Sequence, residues 1–542
     1  MITPVAQRGS DRQRHGGLGR AALLIAAITL LARVIGFGRQ VVFAHTVQAQ
    51  CLGTAYTTAN MVPNIIYDIV VGGALTAVVV PVLAGPVRDE SAGRDEVRRT
   101  SAALLTWTVL LLLPVTAAVA FTARPLVSLL LGGTPGCPRA SMVTMAARML
   151  IVFAPQIMLY GLAVVLYGIL HAHRRFAAPA LAPVLSSLVV IGAYIWFGVT
   201  GNGYQDMTRP VPALSWIVLA VGTTAGVAAL VATPLIPFAR LRLALRPALR
   251  FPAGVGIRVR SLAAAGLATL IAQDASVAVV ILLANSRGGN GALVLYSFAW
   301  AVFFVPYAVL AVPIATSAFP ELSARTDRFA ATSAASTRAV IVVSWLGAAA
   351  MAGTCIPLAR VFQSHADQAA AARQLAVALA AFAVGLVGYG LTANLSRVLY
   401  ARRRSRAAAA AVCGGWLLVI AADLLLVPFA GRSAVVPLLG AGTAIGLTGS
   451  GAVLVILVRR ACGKDALHGS ARAWLAGLAG AAAGAAAGLG VAAALPAAGF
   501  LPNVAVTVAA GAAVLAVFAA VVALADGGDL RAVLRRSARG RA

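Results

Sequence analysis

The chain has 542 residues, 61% of them hydrophobic and 11% charged, and its mean hydropathy is +0.92. Ordinary soluble domains are about half apolar, so the composition excludes a soluble enzyme or binding module and specifies an all-α polytopic membrane protein. The net charge of +28 comes from 43 Lys+Arg against 15 Asp+Glu, with Lys464 the only lysine. These cations lie in short clusters between apolar segments, a pattern of membrane topology and not of a nucleic-acid surface.

The first element is a basic segment, residues 1–20, holding Arg8, Arg12, Arg14 and Arg20. It resembles a signal peptide, but no small-residue cleavage site follows and the apolar run from Ala21 continues to Ala44, so an uncleaved first span is expected. Arg33 lies roughly 12 residues into that span, which at about 1.5 Å per residue puts it near mid-bilayer. A guanidinium there costs about 2.5 to 3.5 kcal/mol and should face a polar cavity or a partner. Arg39, nearer the far end, has snorkelling to the interface as its alternative. Positions six apart on a helix diverge by about 120°, so both arginines reach one cavity only if the helix bends, and Gly36 and Gly38 are the candidate flexing points.

Apolar stretches of membrane length start near Ala21, Tyr56, Ala102, Val143, Pro179, Leu214, Leu262, Leu293, Ala339, Leu375, Ala407, Ala434, Ala473 and Val504, about fourteen spans in all. With the N-terminus inside, the outer loops hold only Arg124, Arg139, Arg209, Arg287, Arg360 and Arg432, while Arg33, Arg39, Arg148, Arg373 and Arg397 sit in or at the ends of spans. The remaining cations fall on the inner side, which places both termini in the cytoplasm. An internal repeat is also visible. Tyr160-Gly161-Leu162 with Leu170-His171-Ala172-His173-Arg174-Arg175 matches Tyr389-Gly390-Leu391 with Leu399-Tyr400-Ala401-Arg402-Arg403-Arg404, and Tyr56, Pro63 and Pro81 echo Tyr296, Pro306 and Pro320. Basic loops after apolar helices also look alike by the positive-inside rule alone. Taken as genuine, the repeat gives two six-helix bundles in parallel orientation, a transporter architecture with substrate between the halves. The expected division is a six-helix bundle over 21–238, a basic linker over 239–261, a second bundle over 262–458, two extra helices over 473–525 and a basic cytoplasmic tail over 526–542. Gly480, Gly484 and Gly488 form a ridge for close helix packing, with a lipid-tail groove as the alternative.

No Walker A loop, HExxH or Rossmann fingerprint occurs. His171 and His173 flank a basic loop with nothing beside them to make a catalytic pair. Three carboxylates lie within spans: Asp68, Asp274 and Asp423. Each should be paired, protonated or cation-bound. Asp68 is a candidate ion-pair partner of Arg33 and equally a candidate substrate contact. Asp274 and Asp423, with Thr443 adding an oxygen, are candidates for a monovalent cation or proton site, or are two unrelated packing contacts. The five cysteines show neither CxxC nor metal-ligand spacing, so no zinc site or disulfide framework is indicated; a Cys51–Cys137 bridge is the minor reading.

The stretches ARVIGFGRQVVFA (Ala32 to Ala44), VPN (Val62 to Asn64), GGALTAVVVPVLA (Gly72 to Ala84) and RRFAAPALAP (Arg174 to Pro183) resemble the MurJ/MviN lipid II flippases of the MOP exporter superfamily. The resemblance implies a V-shaped pair of six-helix bundles that moves an undecaprenyl-pyrophosphate-linked peptidoglycan precursor between leaflets by alternating access, as a monomer among membrane lipids, beside the cell-wall synthesis machinery. It makes Arg33 and Arg39 cavity arginines, and a guanidinium fork suits a pyrophosphate better than an ammonium does. It also implies Na+ or H+ coupling through Asp274 and Asp423, with no other cofactor. Departures are several. Thr54 stands where many members have an acidic residue, Tyr67 and Asp68 where they have a basic pair, Gly72 where they have Glu, Ala301 where a cavity arginine is expected and Val419 where an Asn is expected. Competing readings are a flippase for another lipid-linked glycan, favoured by the missing cavity charges, a small-molecule cation antiporter, and a membrane-bound glycan polymerase, for which the outer loops offer only Asp206 and Asp367.

Overall fold

A computed structural model describes residues 8–69, 93–242, 247–249, 255–324, 327–364 and 368–525, with backbone alone for 8–26, 93–96 and 255–266. Gly72 and its motif through Ala84, Pro81, the start of the 88–99 loop, Asp367, parts of the linker and the 526–542 tail lie outside the described residues. In chain order the helices are α1 (Arg8–Thr46), α2 (Cys51–Tyr67), α3 (Gly93–Phe121), α4 (Ala123–Leu131), α5 (Arg139–Phe153), α6 (Pro155–Ala172), α7 (Ala177–Thr200), α8 (Ala213–Ala239), α9 (Val255–Leu283), α10 (Ala292–Pro306), α11 (Val312–Ala324), α12 (Phe329–Phe362), α13 (Ala369–Ala401), α14 (Ser405–Leu426), α15 (Val435–Cys462), α16 (Ser470–Ala494) and α17 (Phe500–Ala525). Only helices satisfy all their backbone groups within one segment in lipid. Among the described residues, 13 helical stretches are long and apolar enough to cross a membrane. They match the first and the third to fourteenth expected spans, so this is a multi-pass membrane protein. The second expected span is represented by α2, and its remainder lies outside the described residues.

Prolines account for the breaks in these spans. Pro155 opens α6 directly after α5, where its missing N–H is tolerated. Pro306 closes α10, and a π-helical turn at Tyr307–Ala311 carries the chain into α11.

The internal repeat has a geometric counterpart. Arg174 and Arg403 both adopt φ of 57°, in the left-handed region. The amide of Arg175 donates to Leu170 O (2.8 Å) and that of Arg404 to Leu399 O (2.9 Å), so α6 and α13 end in the same six-residue cap. A left-handed arginine costs about 1 to 2 kcal/mol, and a basic loop alone does not require it at the same position twice.

Small residues set the tightest packing. α13 and α15 cross where a methyl on Gly388 would overlap Leu447 O and Thr448 Cα, with Gly451 facing it. In α16, Gly480 and Gly484 lie against Phe518 of α17, and Gly488 lies against Val514 and Gly353 O of α12. The glycine ridge is thus occupied by helices.

At one end of the bundle Cys51 and Cys137 form a disulfide, with Cα atoms 5.7 Å apart. This reverses the ranking from sequence, where no disulfide framework is indicated and this bridge is the minor reading. The two cysteines are 86 residues apart, and only the return of α4 and α5 beside the start of α2 brings them together, a tertiary fact that spacing does not carry. The opposite end carries Arg174, Arg240, Arg402 and Arg459; the two are called the disulfide end and the arginine end below.

Candidate functional site

A cavity of about 500 Å³ lies between α1, α2, α6, α7, α8 and α10. It reaches from Arg39, Phe43 and Tyr56 to Tyr167 and Leu230 toward the arginine end. The hydrogen bonds of its deep wall are internal: Tyr56 Oη lies 2.8 Å from Tyr194 Oη and 2.9 Å from Thr223 Oγ1, braced by Phe43 and Phe153. Nearer the arginine end, Tyr160 Oη donates to Asn64 Oδ1 (3.1 Å), its ring 4.5 Å from that of Tyr67 between centroids. Tyr167 Oη donates to Leu230 O (3.2 Å).

Above this space, the disulfide end is closed by bonds between the halves. Gly291 N–H donates to Thr54 Oγ1 (3.0 Å), Asn285 Nδ2 donates to Thr58 Oγ1 (3.0 Å) and Leu130 O (3.0 Å), and Asn290 N–H donates to Pro135 O (3.2 Å). His45 at the end of α1 adds a contact to Val361 O (2.9 Å) on α12. The disulfide ties the Pro135 loop to α2, so two of the first-half contributors to this seam are stapled together.

Arg39 lines the cavity, and Tyr56, Tyr160 and Tyr194 lie within its electrostatic reach. Arg33 is exposed and its guanidinium sits over the Phe304 ring of α10, 5.3 Å from the centroid. A cation over an aromatic face is held by the ring quadrupole, so Arg33 spans the gap between the halves without a carboxylate. Among the described residues no ion pair joins it to Asp68. Half-buried Asp68 caps α2 and has Tyr67, Tyr160, Tyr389 and Asp274 within electrostatic reach. α1 runs unbroken through Gly36 and Gly38, and a methyl at either would meet no atom within 4 Å.

Asp274 and Asp423 have different neighbours among the described residues. Asp274, 3% exposed with Oδ2 lacking a hydrogen-bond partner, has Asp68 as its charged neighbour. Asp423 is fully buried on α14 with both oxygens unpartnered, its carboxylate pressed against Gly442 of α15, where a methyl would overlap Oδ1. Thr443 follows Gly442, hydrogen-bonds with Tyr296 and donates to Leu439 O (2.9 Å). The two spans do pack together, α9 along α14. Among the described residues no group of three or more His, Cys, Asp or Glu side chains is placed to hold a metal.

The departures from the family pattern sort by place. Tyr67 and Ala301 line the cavity, so the missing charges there are a property of the site itself. Thr54 is fully buried in the seam, where a neutral hydroxyl already satisfies the Gly291 amide. Val419 packs against Gly446. Sequence reasoning missed Asn60, which lines the cavity with its Oδ1 buried and unpartnered. The available signal was spacing: Tyr56, Asn60, Asn64 and Tyr67 recur at helical intervals on α2, a polar stripe inside a membrane span.

A family model for the lipid II flippase MurJ matches residues 43–514. A lipid II flippase MurJ from Burkholderia cenocepacia is 27% identical over 443 residues, spanning 78% of this chain and 81% of that relative. Among solved structures, a lipid II flippase MurJ in an inward closed conformation superposes with a TM-score of 0.71 at 17% identity, covering 92% of this chain and 99% of that one. An inward-facing multidrug resistance MATE family transporter of the MOP superfamily gives 0.62 at 12% identity, covering 81% and 97%. The two structures share the fold; the family model, which runs through both bundles and into the last helix, decides the family. The chain belongs to the MurJ lipid II flippase family.

Proposed function

We propose that this protein moves lipid II, the undecaprenyl-pyrophosphate-linked peptidoglycan precursor, from the inner to the outer leaflet of the bacterial cytoplasmic membrane, as a transporter and not an enzyme. The observation that carries the reading is a cavity lined by Arg39, which forms no ion pair among the described residues, closed at one end by hydrogen bonds between two repeat-related halves. A guanidinium held out of bulk water binds a pyrophosphate strongly, because charge-assisted bonds strengthen as the local dielectric falls. Positive-inside logic puts the arginine end in the cytoplasm, so the cavity receives the head group from the inner leaflet, and parting of the seam releases it outside. Coupling would fall to the buried oxygens of Asp423, whose lack of any partner fits a proton or Na+, with Tyr296 and Thr443 as neighbours.

Depletion in the native cell tests the substrate. Lipid II should accumulate and become inaccessible to an impermeant probe at the outer face. Unchanged outer-face accessibility, in a strain lacking any second flippase, removes the reading. A second reading, a different lipid-linked glycan, draws on Tyr67 and Ala301 in place of cavity cations; under it another precursor accumulates in the same experiment.

A further inference from the structure

The first-half tyrosine pair is left unused by a pyrophosphate-centred account. Tyr67 and Tyr160 meet at 4.5 Å across α2 and α6, both half-buried and both facing the cavity. Tyr67 stands where the family resemblance expects one of a basic pair, so an aromatic face replaces a cation in the wall. One and two turns away on the same α2 face are Asn64 and Asn60. Asn64 Oδ1 already accepts from Tyr160, which turns its amide N–H groups to other acceptors, while Asn60 Oδ1 is a buried acceptor with no donor.

Aromatic faces beside amide donors and acceptors suit a pyranose. The C–H face of a sugar ring packs on a tyrosine with little entropy to lose, since only two torsions are fixed, and the hydroxyl and N-acetyl groups at its edge need paired donors and acceptors. A buried acceptor without a donor, such as Asn60 Oδ1, is costly until a donor reaches it, and a sugar hydroxyl is such a donor. We propose that Tyr67, Tyr160, Asn60 and Asn64 form the saccharide-recognition wall of the cavity, with Arg39 on the α1 side of the same cavity holding the pyrophosphate, so that this chain reads the sugar by aromatic and amide contacts more than by charge. The inference rests on the lipid-linked glycan reading above.

The test uses the full chain in nanodiscs and three ligands that share a lipid and pyrophosphate: undecaprenyl pyrophosphate, its peptide-free disaccharide conjugate, and lipid II. Wild type should bind both sugar-bearing lipids at least tenfold more tightly than undecaprenyl pyrophosphate. Tyr67→Leu should weaken both by about tenfold, the scale of one aromatic contact, and leave undecaprenyl pyrophosphate within twofold, which also reports that the variant is folded. Tyr67→Phe keeps the ring and should stay within about threefold of wild type. Arg39→Gln should weaken all three ligands. The inference is overturned if Tyr67→Leu changes all three ligands alike, changes none, or affects only the peptide-bearing lipid II. If wild type itself shows no preference for sugar-bearing lipids, the lipid-linked glycan reading falls with it.

Discussion

The two halves repeat a backbone and diverge in what they enclose. Both close their fourth span with a left-handed arginine cap, and both set a tyrosine of that span against one from the second: Tyr160 with Tyr67, Tyr389 with Tyr307. In the first half the pair borders the cavity that holds Arg39. In the second the rings approach to 3.8 Å, with Phe303, Trp300 and Trp416 around them, and border a smaller cavity of about 170 Å³. Among the second half's buried unpartnered groups, Asp423 stands out with both carboxylate oxygens sealed between α14 and α15. The two copies of the repeat thus differ in what surrounds the tyrosine pair: the first-half cavity carries Arg39, and the second-half one is smaller and lined by Tyr307, Tyr389 and Trp416. A division of this kind suits rocking of one bundle against the other around a bound head group.

The largest expected effect comes from fixing the halves to each other. Asn285 Nδ2 and Thr58 Oγ1 are 3.0 Å apart across the seam, so Thr58→Cys with Asn285→Cys should form a bond that abolishes flipping and returns it on reduction. Reduction also opens Cys51–Cys137, so the unsubstituted protein is measured with reductant in parallel. Full activity in the cross-linked protein would remove alternating access as the mechanism.

Next in size are the two arginines. Arg39→Lys keeps the charge but loses the planar fork, and each charge-assisted bond is worth about 1.5 to 3 kcal/mol, so flipping should fall by about ten- to a hundredfold with near-normal expression. Arg33 sits on Phe304 and forms no ion pair with Asp68 among the described residues. The double change Arg33→Ala with Asp68→Ala should therefore fail to restore what Arg33→Ala loses. Rescue in the double variant would turn Arg33 into a structural partner of Asp68 and leave Arg39 as the substrate arginine.

Much of the architecture was legible because lipid imposes a one-dimensional rule: apolar runs of fixed length, with arginines on one side. Arg33, Arg39 and the repeat were visible for the same reason, since charge inside a span and a matched motif need no tertiary information. What the chain alone hid was pairing between distant segments. The Cys51–Cys137 bond and the seam from Thr54 to Gly291 depend on how α2, α4, α5 and α10 converge. The expectation that Asp274 and Asp423 share one site rested on their both lying in the second half. In the structure Asp274 has Asp68 as its charged neighbour, and Gly442 makes room for the Asp423 carboxylate. Asn60 was hidden differently: its helical spacing was present, but asparagine in a span draws less notice than arginine.

The smallest expected effect sharpens the division between halves most. Asp423→Asn preserves side-chain volume in the recess against Gly442 and removes the option of a bound cation or a titrating proton. A buried charge without a partner costs more than an unpaired neutral amide does, so the variant should remain folded with thermal stability close to or above that of the wild type. Flipping measured in proteoliposomes, with and without a sodium or proton gradient, should lose its response to the gradient and settle at the ungraded rate, a drop of about two- to tenfold, or about 0.4 to 1.4 kcal/mol in the barrier. Asp274→Asn should act differently, because its charged neighbour belongs to the first half: ion response stays and the affinity for the lipid changes. Equal loss of ion response in both variants would join the two carboxylates functionally in spite of their separate surroundings. An unchanged ion response in Asp423→Asn would return that carboxylate to a packing role and leave coupling to be sought in the first half, beside Asp68.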